Sequence, residues 1–309
     1  SPEAHLRHTL MTQTGVDSLC SKVNVLPPNM SSSIRLASVP YEENQLAQGA
    51  CVAFRYVVEK ENPIALVQYA AVYEISNHSI ATNPNFENYA QPYMRVWVQY
   101  DGNLDDCYDF YRRPSKEDEM EGWQKQGDSI LYRDWTTIGM DLTKYIDKKI
   151  MILVAFFDCA EQSETARDYC QKHHKARVYC HVDCAPAYEI QQTCTPSQTT
   201  LIAPKGFTYK WQPVGYPDSI MSTKDTVRFT TPTTKTSYVC QLQSLIGCDP
   251  VPHTIDIDAT RVYGSKIDTV CIADIDDFKW DDGEPVDRSV LTHEFMITTT
   301  GGCDSVVTQ

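Results

Sequence analysis

The chain has 309 residues, of which 42% are hydrophobic and 22% are charged, and its formal net charge is -14 at pH 7. This acidic excess argues against a nucleic-acid partner, which requires a basic surface. The longest apolar run, residues 150–157, is far shorter than the ~20 residues that span a bilayer, so we expect no membrane span.

Twelve cysteines, an even number, indicate an exported protein stabilised by disulfides rather than a reduced cytosolic protein. We therefore expect an extracellular or cell-surface location. Because residue 1 is Ser1 and no charged-then-apolar leader follows it, we also expect a processed product or a fragment.

Period-two alternation of apolar residues predicts that residues 1–185 form a jelly-roll-like β-sandwich. In the first clear strand, Val52, Phe54, Tyr56 and Val58 share one face. The segment 149–158 is apolar on both faces, as expected for a central strand that is covered on each side. Further strands are predicted at residues 65–75, 94–100 and 176–184.

Residues 186–260 carry the signature of an immunoglobulin-like sandwich: Cys194, Trp211, Tyr238 and Cys240. This pattern predicts a Cys194–Cys240 disulfide, and a local Cys240–Cys248 bridge is the alternative. Strands are predicted at residues 199–203, 207–211, 226–230, 237–242 and 254–257. Residues 261–309 are too short for a complete sandwich and are predicted to form a short or truncated β repeat, in which Cys271 and Cys303 are the only available pair.

A cluster of cysteines and histidines with the pattern C-x2-H-H-x5-C-H-x2-C spans residues 170–184. Cys180 and Cys184 are four residues apart on one strand face, roughly 13 Å by strand rise, and cannot bond to each other. In an oxidising compartment we favour disulfides, with a structural zinc site as the alternative. The predicted pairings are Cys170 with Cys180, and Cys184 with either Cys159 or Cys107.

The acidic segment 274–284 contains a glycine and suggests calcium binding. Its spacing does not match an EF-hand loop, so we favour a solvated turn and assign no metal ligand. No cofactor is predicted.

The sequence contains no Gly-x-Ser-x-Gly elbow, no His-Glu-x-x-His motif and no phosphate-binding glycine loop, so no enzymatic activity is predicted. Aromatic residues in segments interpreted as polar loops of the first domain suggest stacking against sugar rings. The alternative is that these rings pack over the ends of the sandwich. The candidates for glycan binding are Tyr93, Tyr108, Tyr111 and Trp123.

Three passages, residues 135–159, residues 208–240 and residues 299–307, resemble modules of secreted and cell-surface proteins of Bacteroidetes. The first is similar to a jelly-roll module related to MAM and carbohydrate-binding sandwiches, and the second to a PKD/Ig-like repeat. The resemblance implies a surface protein associated with gliding motility or type IX secretion. It departs from the family at Asp147, where glycine is usual, and at residues 161–175, which form a polar insertion.

The same resemblance implies O-glycosylation at Asp-Ser or Asp-Thr pairs that are followed by an aliphatic residue. The candidate acceptors are Ser18, Ser129, Ser219, Thr226, Thr269 and Ser305.

Together these patterns predict an all-β, non-enzymatic extracellular protein that works in adhesion or filament assembly. Its expected partners are other surface proteins or glycans. The alternative is a set of carbohydrate-binding modules from a secreted enzyme.

Overall fold

A computed structural model describes residues 7–38, 49–74, 92–112, 122–157, 175–194, 197–258, 261–265, 279–286, 292–298 and 304–308. The structure is built from β-sheets, antiparallel except for one parallel pairing between residues 261–265 and 304–308, which confirms the predicted all-β sandwich class. It forms two compact units. The first comprises residues 1–187 together with the short segments 204–208 and 243–251, and the second contains the remainder.

The first unit is a sandwich of a large sheet and a small sheet. Its strands are β1 (His8–Met11), β2 (Ser33–Ala37), β3 (Gly49–Val57), β4 (Ile64–Glu74), β5 (Tyr93–Tyr100), β6 (Asn103–Arg112), β7 (Gln124–Gln126), β8 (Ile130–Asp141), β9 (Lys149–Phe157) and β10 (Ala176–Ala185). The large sheet has the order β1-β2-β10-β4-β8-β7, and the small sheet has the order β3-β9-β5-β6. One turn of 3-10 helix, Thr143–Tyr145, connects β8 to β9.

The hydrophobic core lies between the facing surfaces of the two sheets. Alternation along β4 directs Val67, Tyr69 and Ala71 into this core, and alternation along β9 does the same for Ile152 and Val154. These side chains are fully buried. The period-two pattern predicted from the sequence is therefore the pattern that forms the sandwich interior.

The outer face of the large sheet is covered by the segment that precedes β2. Val23 and Val25 pack against Ala70 and Val72 in a second apolar cluster. Buried Asp17 fixes this segment: its Oδ1 accepts the backbone N–H groups of residues 19 and 20 at 2.7 and 2.9 Å, and its Oδ2 accepts bonds from Arg177 and Tyr179. The large sheet is thus packed on both faces.

The outer face of the small sheet is less fully covered than the sequence predicts. The apolar strand β9 was predicted to be covered on each side, yet Met151, Leu153 and Phe157 remain partly exposed on its outer face. Their partial cover comes from the same face of β5, where Arg95, Trp97 and Gln99 are also partly exposed. An apolar central strand therefore contributes to an accessible surface.

Segments 204–208 and 243–251 join the first unit at Gly139 of β8. The ring of Phe207 occupies the space above Gly139, where an added Cβ would lie 1.9 Å from Cε2 of the ring. Gly206, with φ of +93°, has no side chain that would push the backbones of residues 139 and 206 apart. Its carbonyl accepts a hydrogen bond from the N–H of Gly139 at 3.0 Å. The buried hydroxyl of Ser244 donates to the Gly139 carbonyl at 2.7 Å.

A disulfide joins Cys107 of β6 to Cys248, with the two Cα atoms 5.6 Å apart. Two of the alternative pairings, Cys107 with Cys184 and Cys248 with Cys240, are therefore wrong. Cys184 and Cys240 carry free thiols. The reason is that segment 243–251 packs within the first unit, which brings two cysteines 141 residues apart in sequence into bonding distance.

We expect the Cys107→Ala/Cys248→Ala double variant to be less stable than the native chain by about 2–4 kcal/mol, since a cross-link that closes a long loop restricts the unfolded state. Urea unfolding followed by circular dichroism measures the difference. Cys51→Ala, which removes an exposed free thiol, is the matched control and should leave the midpoint unchanged. Equal midpoints for the double variant and the native chain would contradict the predicted role of this bridge.

Buried Asp105 anchors the irregular part of β6. Its Oδ1 accepts the backbone N–H groups of Cys107 and Tyr108 at 2.8 and 3.0 Å. Its Oδ2 accepts bonds from Nζ of Lys144 at 2.7 Å and from the hydroxyl of Tyr145 at 2.6 Å. Burial by itself raises the pKa of Asp105, but these hydrogen bonds outweigh burial and the pKa is lowered.

Because the folded-state pKa of Asp105 is lowered, its ionised form stabilises the fold above the ordinary carboxyl pKa of about 3.9. This contribution is lost as the pH falls toward the lowered value. We expect Asp105→Asn to destabilise the protein at pH 6, and the gap from the native chain to narrow below about pH 4. Urea midpoints measured from pH 6 to pH 3 test this, and a gap that is constant with pH would count against the ionised network.

In the described part of the second unit, the strands form three three-stranded sheets. Its strands, three of which extend into segments of the first unit, are β11 (Glu189–Cys194), β12 (Ser197–Ile202), β13 (Phe207–Pro213), β14 (Thr226–Thr230), β15 (Thr236–Ser244), β16 (Val251–Ile257), β17 (Arg261–Ser265), β18 (Glu294–Thr298) and β19 (Asp304–Thr308). The sheets have the orders β11-β12-β14, β13-β15-β16 and β17-β19-β18. All five strands predicted between residues 199 and 257 are present.

Trp211 is fully buried, as the immunoglobulin-like pattern predicts, and its indole N–H donates to the carbonyl of Lys224 at 2.8 Å. The predicted Cys194–Cys240 disulfide is not formed, because Cys240 is a free, buried thiol. Cys194 ends β11 next to the turn into β12, whereas Cys240 lies in the middle of β15 in the other sheet. Burial raises the pKa of the Cys240 thiol to about 12.

No helix within the described residues is long and apolar enough to cross a membrane.

Candidate functional site

The outer face of the small sheet carries the most prominent cluster of partly exposed aromatic residues among the described residues. Strand β5 reads Tyr-Met-Arg-Val-Trp-Val, and Met94, Val96 and Val98 are fully buried. Alternation therefore directs Tyr93, Arg95 and Trp97 outward. We define the aromatic face by six residues that share this surface: Tyr93, Arg95, Trp97, Asp109, Tyr111 and Phe157.

Strand pairing sets the positions of these six residues. Tyr93 lies opposite Phe157, and Arg95 lies opposite Tyr111. Trp97 lies opposite Asp109. Because directly opposed residues of an antiparallel pair have Cβ atoms about 5 Å apart, three neighbouring strands bring these six side chains into contact.

Arg95 lies at the centre of the aromatic face. Its Nε and Nη2 donate to Oδ1 and Oδ2 of Asp109 at 2.8 and 2.7 Å, a bidentate ion pair. Its guanidinium carbon lies 4.8 Å from the ring centre of Trp97 and 5.1 Å from that of Tyr111. The hydrogen bond to Asp109 raises the pKa of Arg95. The guanidinium is thus held between two rings by a carboxylate.

The other rings extend this surface toward one end of the sheet. Tyr93 stacks on Phe157 with ring centres 4.8 Å apart and an interplanar angle of 17°. It also meets Tyr111 at 6.0 Å with a tilt of 45°. Tyr111 is 51% exposed, which leaves a ring accessible to a ligand.

Small side chains occupy the neighbouring part of the same outer face. Ala155 of β9 lies opposite Cys51 of β3, and Leu153 lies opposite Ala53. The side chains of Ala155, Cys51 and Ala53 are shorter than the aromatic rings on β5 and β6. The surface of the sheet next to the aromatic face is therefore lower than the face itself. Cys51 contributes an exposed free thiol there, and partial burial raises its pKa.

The structure places the four predicted glycan-binding residues in two different environments. Tyr93 and Tyr111 belong to the aromatic face. Tyr108 is buried, donates its hydroxyl to the Asp141 carbonyl at 2.9 Å and accepts the Asp141 N–H at 2.8 Å. Trp123 is also buried and meets the ring of Tyr73 at 5.1 Å. Neither Tyr108 nor Trp123 is available for stacking against a sugar.

The burial of Tyr108 follows from the length of strand β6. The sequence interpretation puts Tyr108 and Tyr111 in a loop, but strand β6 continues to Arg112. Alternation along β6 therefore directs Tyr108 to the inner face of the sheet, and Asp109 and Tyr111 to the outer face. The sequence interpretation missed Arg95, Trp97, Asp109 and Phe157. The available signal was the arginine and tryptophan alternating with valines in a strand that was correctly predicted.

Other predicted site residues show no such grouping. Cys180 is buried in the sandwich core, and Cys180 and Cys184 both carry free thiols, so the predicted bridges from them are wrong. Cys180 faces the core while His181 lies on the opposite face of β10. Within the described residues no group of His, Cys, Asp or Glu side chains could hold a metal ion. Cys159, Cys170, Cys271 and Cys303 lie outside the described residues.

The described part of the predicted acidic turn, residues 279–284, is a tight hairpin. The N–H of Gly283 donates to the carbonyl of Trp280 at 2.8 Å, and Asp282 accepts from His293 at 2.7 Å. This hydrogen bond lowers the pKa of Asp282. The carboxylate of Asp282 thus bonds to a histidine, residues 274–278 lie outside the described residues, and the solvated-turn interpretation stays a prediction.

Among the predicted O-glycosylation acceptors, Ser18, Ser129 and Ser219 are exposed and Thr226 is partly exposed. Ser18 accepts a hydrogen bond from Arg177 at 2.7 Å. Thr269 lies outside the described residues, and Ser305 lies in β19. Their modification stays a prediction.

No protein-family model and no curated protein matches this chain. Among solved structures, it is similar to the carbohydrate-binding module TmCBM61 in complex with β-1,4-galactotriose, with 8% identity and a TM-score of 0.27 over 58% of this chain and 83% of that one. It is also similar to the glycoside hydrolase domain of Endo-D from Streptococcus pneumoniae R6, with 10% identity and a TM-score of 0.21 over 81% of this chain. This chain covers 37% of the Endo-D domain. At these TM-scores neither protein informs the function of this chain.

Proposed function

We propose that this protein is an extracellular, non-enzymatic glycan-binding protein, and that the aromatic face is its binding surface. The observation that carries the proposal is the Arg95–Asp109 ion pair set between the rings of Trp97 and Tyr111. Sugar rings present apolar C–H faces and a rim of hydroxyl groups. Aromatic rings next to fixed hydrogen-bonding groups match both features.

The extracellular location is supported by the Cys107–Cys248 disulfide, since stable disulfides persist in oxidising compartments. A binding rather than catalytic role is supported by the state of Asp109. This carboxylate lies beside the rings and is engaged by the guanidinium of Arg95 through both of its oxygens. Paired acids of glycosidases instead require one carboxyl group that gives up a proton to the leaving group.

Binding to a printed glycan array by the native chain tests the proposal. We expect defined hits that Tyr111→Ala weakens about tenfold, equivalent to about 1.4 kcal/mol. Tyr216→Ala, which removes a 68% exposed tyrosine of the second unit, is the matched control and should bind like the native chain. Absence of binding to the whole array, or equal loss in both variants, would contradict the proposal.

Assembly with other surface proteins is a second candidate function, favoured by an exposed apolar loop in the second unit. Val214, Tyr216 and Ile220 are all about half exposed or more. The loop is held by backbone bonds from Val214 to Ser237 and from Met221 to Trp211. Sedimentation analysis of the native chain and of Tyr216→Ser tests this candidate, which predicts a concentration-dependent oligomer that the variant loses.

A further inference from the structure

The charge state of the aromatic face bears on which glycans it accepts. Arg95 and Asp109 form a bidentate pair whose side chains are 23% and 24% exposed. The pair is therefore both neutral in sum and reachable by a ligand. A guanidinium that is already neutralised offers little attraction to a second anion.

The pair nevertheless retains hydrogen-bonding capacity on both sides. Two of the five guanidinium N–H groups are used by Asp109, so others are available to donate. The carboxylate has about four lone-pair sites, of which these bonds use two. A sugar hydroxyl both donates and accepts, and it can engage both partners. A carboxylate or sulfate on a ligand only accepts, and it would also meet the negative charge of Asp109.

Next to the aromatic face, Arg112 of β6 donates to the carbonyl of Tyr111 at 3.0 Å, and its guanidinium carbon lies 4.9 Å from the ring centre of buried Phe110. Two cations on the outer face of the small sheet lie away from the rings. Arg55 of β3 lies opposite Met151, and Lys149 at the start of β9 lies opposite Val57. Tyr93 and Phe157 are at the far end of the same strands. The chain as a whole carries a formal charge of -14, which adds a long-range repulsion toward anions.

We propose that the aromatic face selects neutral glycans and discriminates against uronic, sialylated and sulfated ones, an inference that rests on the glycan-binding function proposed above. Asp109 is the residue that sets this selectivity, because it cancels the charge of Arg95. Replacing Asp109 by asparagine leaves Arg95 cationic between Trp97 and Tyr111.

The test is an array that carries matched neutral and acidic glycans, probed with the native chain and with Asp109→Asn at low and physiological salt. We expect the native chain to bind neutral members at least about tenfold more strongly than their acidic counterparts. Asp109→Asn should gain about tenfold in relative binding to acidic members, with a gain that shrinks as salt rises. Asp218→Asn, an exposed aspartate in the second unit, is the matched control and should keep the native preference.

The outcomes separate the two proposals. No binding by the native chain to any glycan would contradict the glycan-binding function itself. Binding to acidic glycans that Tyr111→Ala abolishes would overturn the neutral selectivity but support the site. An unchanged ratio in Asp109→Asn, with the fold intact by circular dichroism, would overturn the role of the ion pair.

Discussion

Replacing Gly139 of β8 by alanine is expected to destabilise the first unit strongly, because a Cβ there would meet the shortest contact found at any described glycine. The new Cβ would lie 1.9 Å from Cε2 of Phe207, a distance at which the ring must move. Gly206 leaves little room for the backbone to yield, since a Cβ on Gly206 would in turn lie 2.4 Å from the Gly139 nitrogen. Overpacking of a well-filled interior costs about 1–3 kcal/mol.

A displaced Phe207 also loses the burial of an aromatic side chain, and the Ser244 hydroxyl risks its bond to the Gly139 carbonyl. A hydrogen bond of this kind contributes about 1 kcal/mol. We therefore expect Gly139→Ala to destabilise the protein by about 3 kcal/mol, and to lower the melting temperature by roughly 6–10 °C. Differential scanning calorimetry measures both quantities.

Gly15→Ala is the matched control, because no heavy atom lies within 4 Å of a Cβ at that position. The double variant Gly139→Ala/Phe207→Ala adds a second comparison. If the clash with the ring dominates, the double variant loses less than the sum of the two single losses. A Gly139→Ala protein that melts within 1 °C of the Gly15→Ala control would show that the packing of segment 204–208 against β8 is not as described.

Replacing Trp97 by alanine is expected to have the largest effect on glycan binding. The indole lies beside the guanidinium of Arg95 and opposite Asp109. Its removal therefore takes away a ring for stacking and one of the two rings that flank the Arg95–Asp109 ion pair. Central aromatic residues of binding sites commonly contribute 2 kcal/mol or more on truncation. We expect the affinity for the strongest array ligand to fall by about thirtyfold, measured by isothermal titration calorimetry.

Trp97→Phe provides the internal comparison, because a smaller ring at the same position preserves stacking. Its affinity should lie between those of the native chain and Trp97→Ala. Since Trp97 is partly buried, its removal also affects stability, and the urea midpoint of each variant is measured at the same time. Native affinity in a folded Trp97→Ala protein would exclude this residue from the site.

Much of the fold follows from the alternation of apolar residues. Strands β4, β9 and β10 begin and end within about one residue of their predicted bounds, because their inward-facing side chains are consistently apolar. The burial of Trp211 was likewise predicted from its position between two cysteines. Sequence patterns predicted the structure correctly where it depends on which face of a single strand is apolar.

The disulfide arrangement depends on long-range packing that the sequence does not encode locally. Cys107 and Cys248 are 141 residues apart and meet because segment 243–251 packs in the first unit. The immunoglobulin-like pattern predicted a bridge from Cys240, but this residue is a buried thiol in β15. A motif that fixes the position of a tryptophan did not fix the pairing of the neighbouring cysteine.

The site was only half predictable for a similar reason. Aromatic residues were selected for lying in polar segments, which identified Tyr111 but also Tyr108, whose side chain turns inward because β6 extends to Arg112. Arg95 and Trp97 lie in a strand that reads as ordinary sandwich core. Only the register of β5 with β6 shows that they face Asp109 and Tyr111 across the sheet.

The most direct test of the glycan-binding face is the response of the five tryptophan indole N–H resonances in a ¹⁵N spectrum during titration with the strongest array ligand. Trp97→Phe assigns one of the five. We predict that the Trp97 resonance shifts most, while those of buried Trp123 and Trp211 stay in place. A saturable titration that moves the indole signal of another tryptophan and leaves Trp97 unchanged would contradict the proposed location of the site.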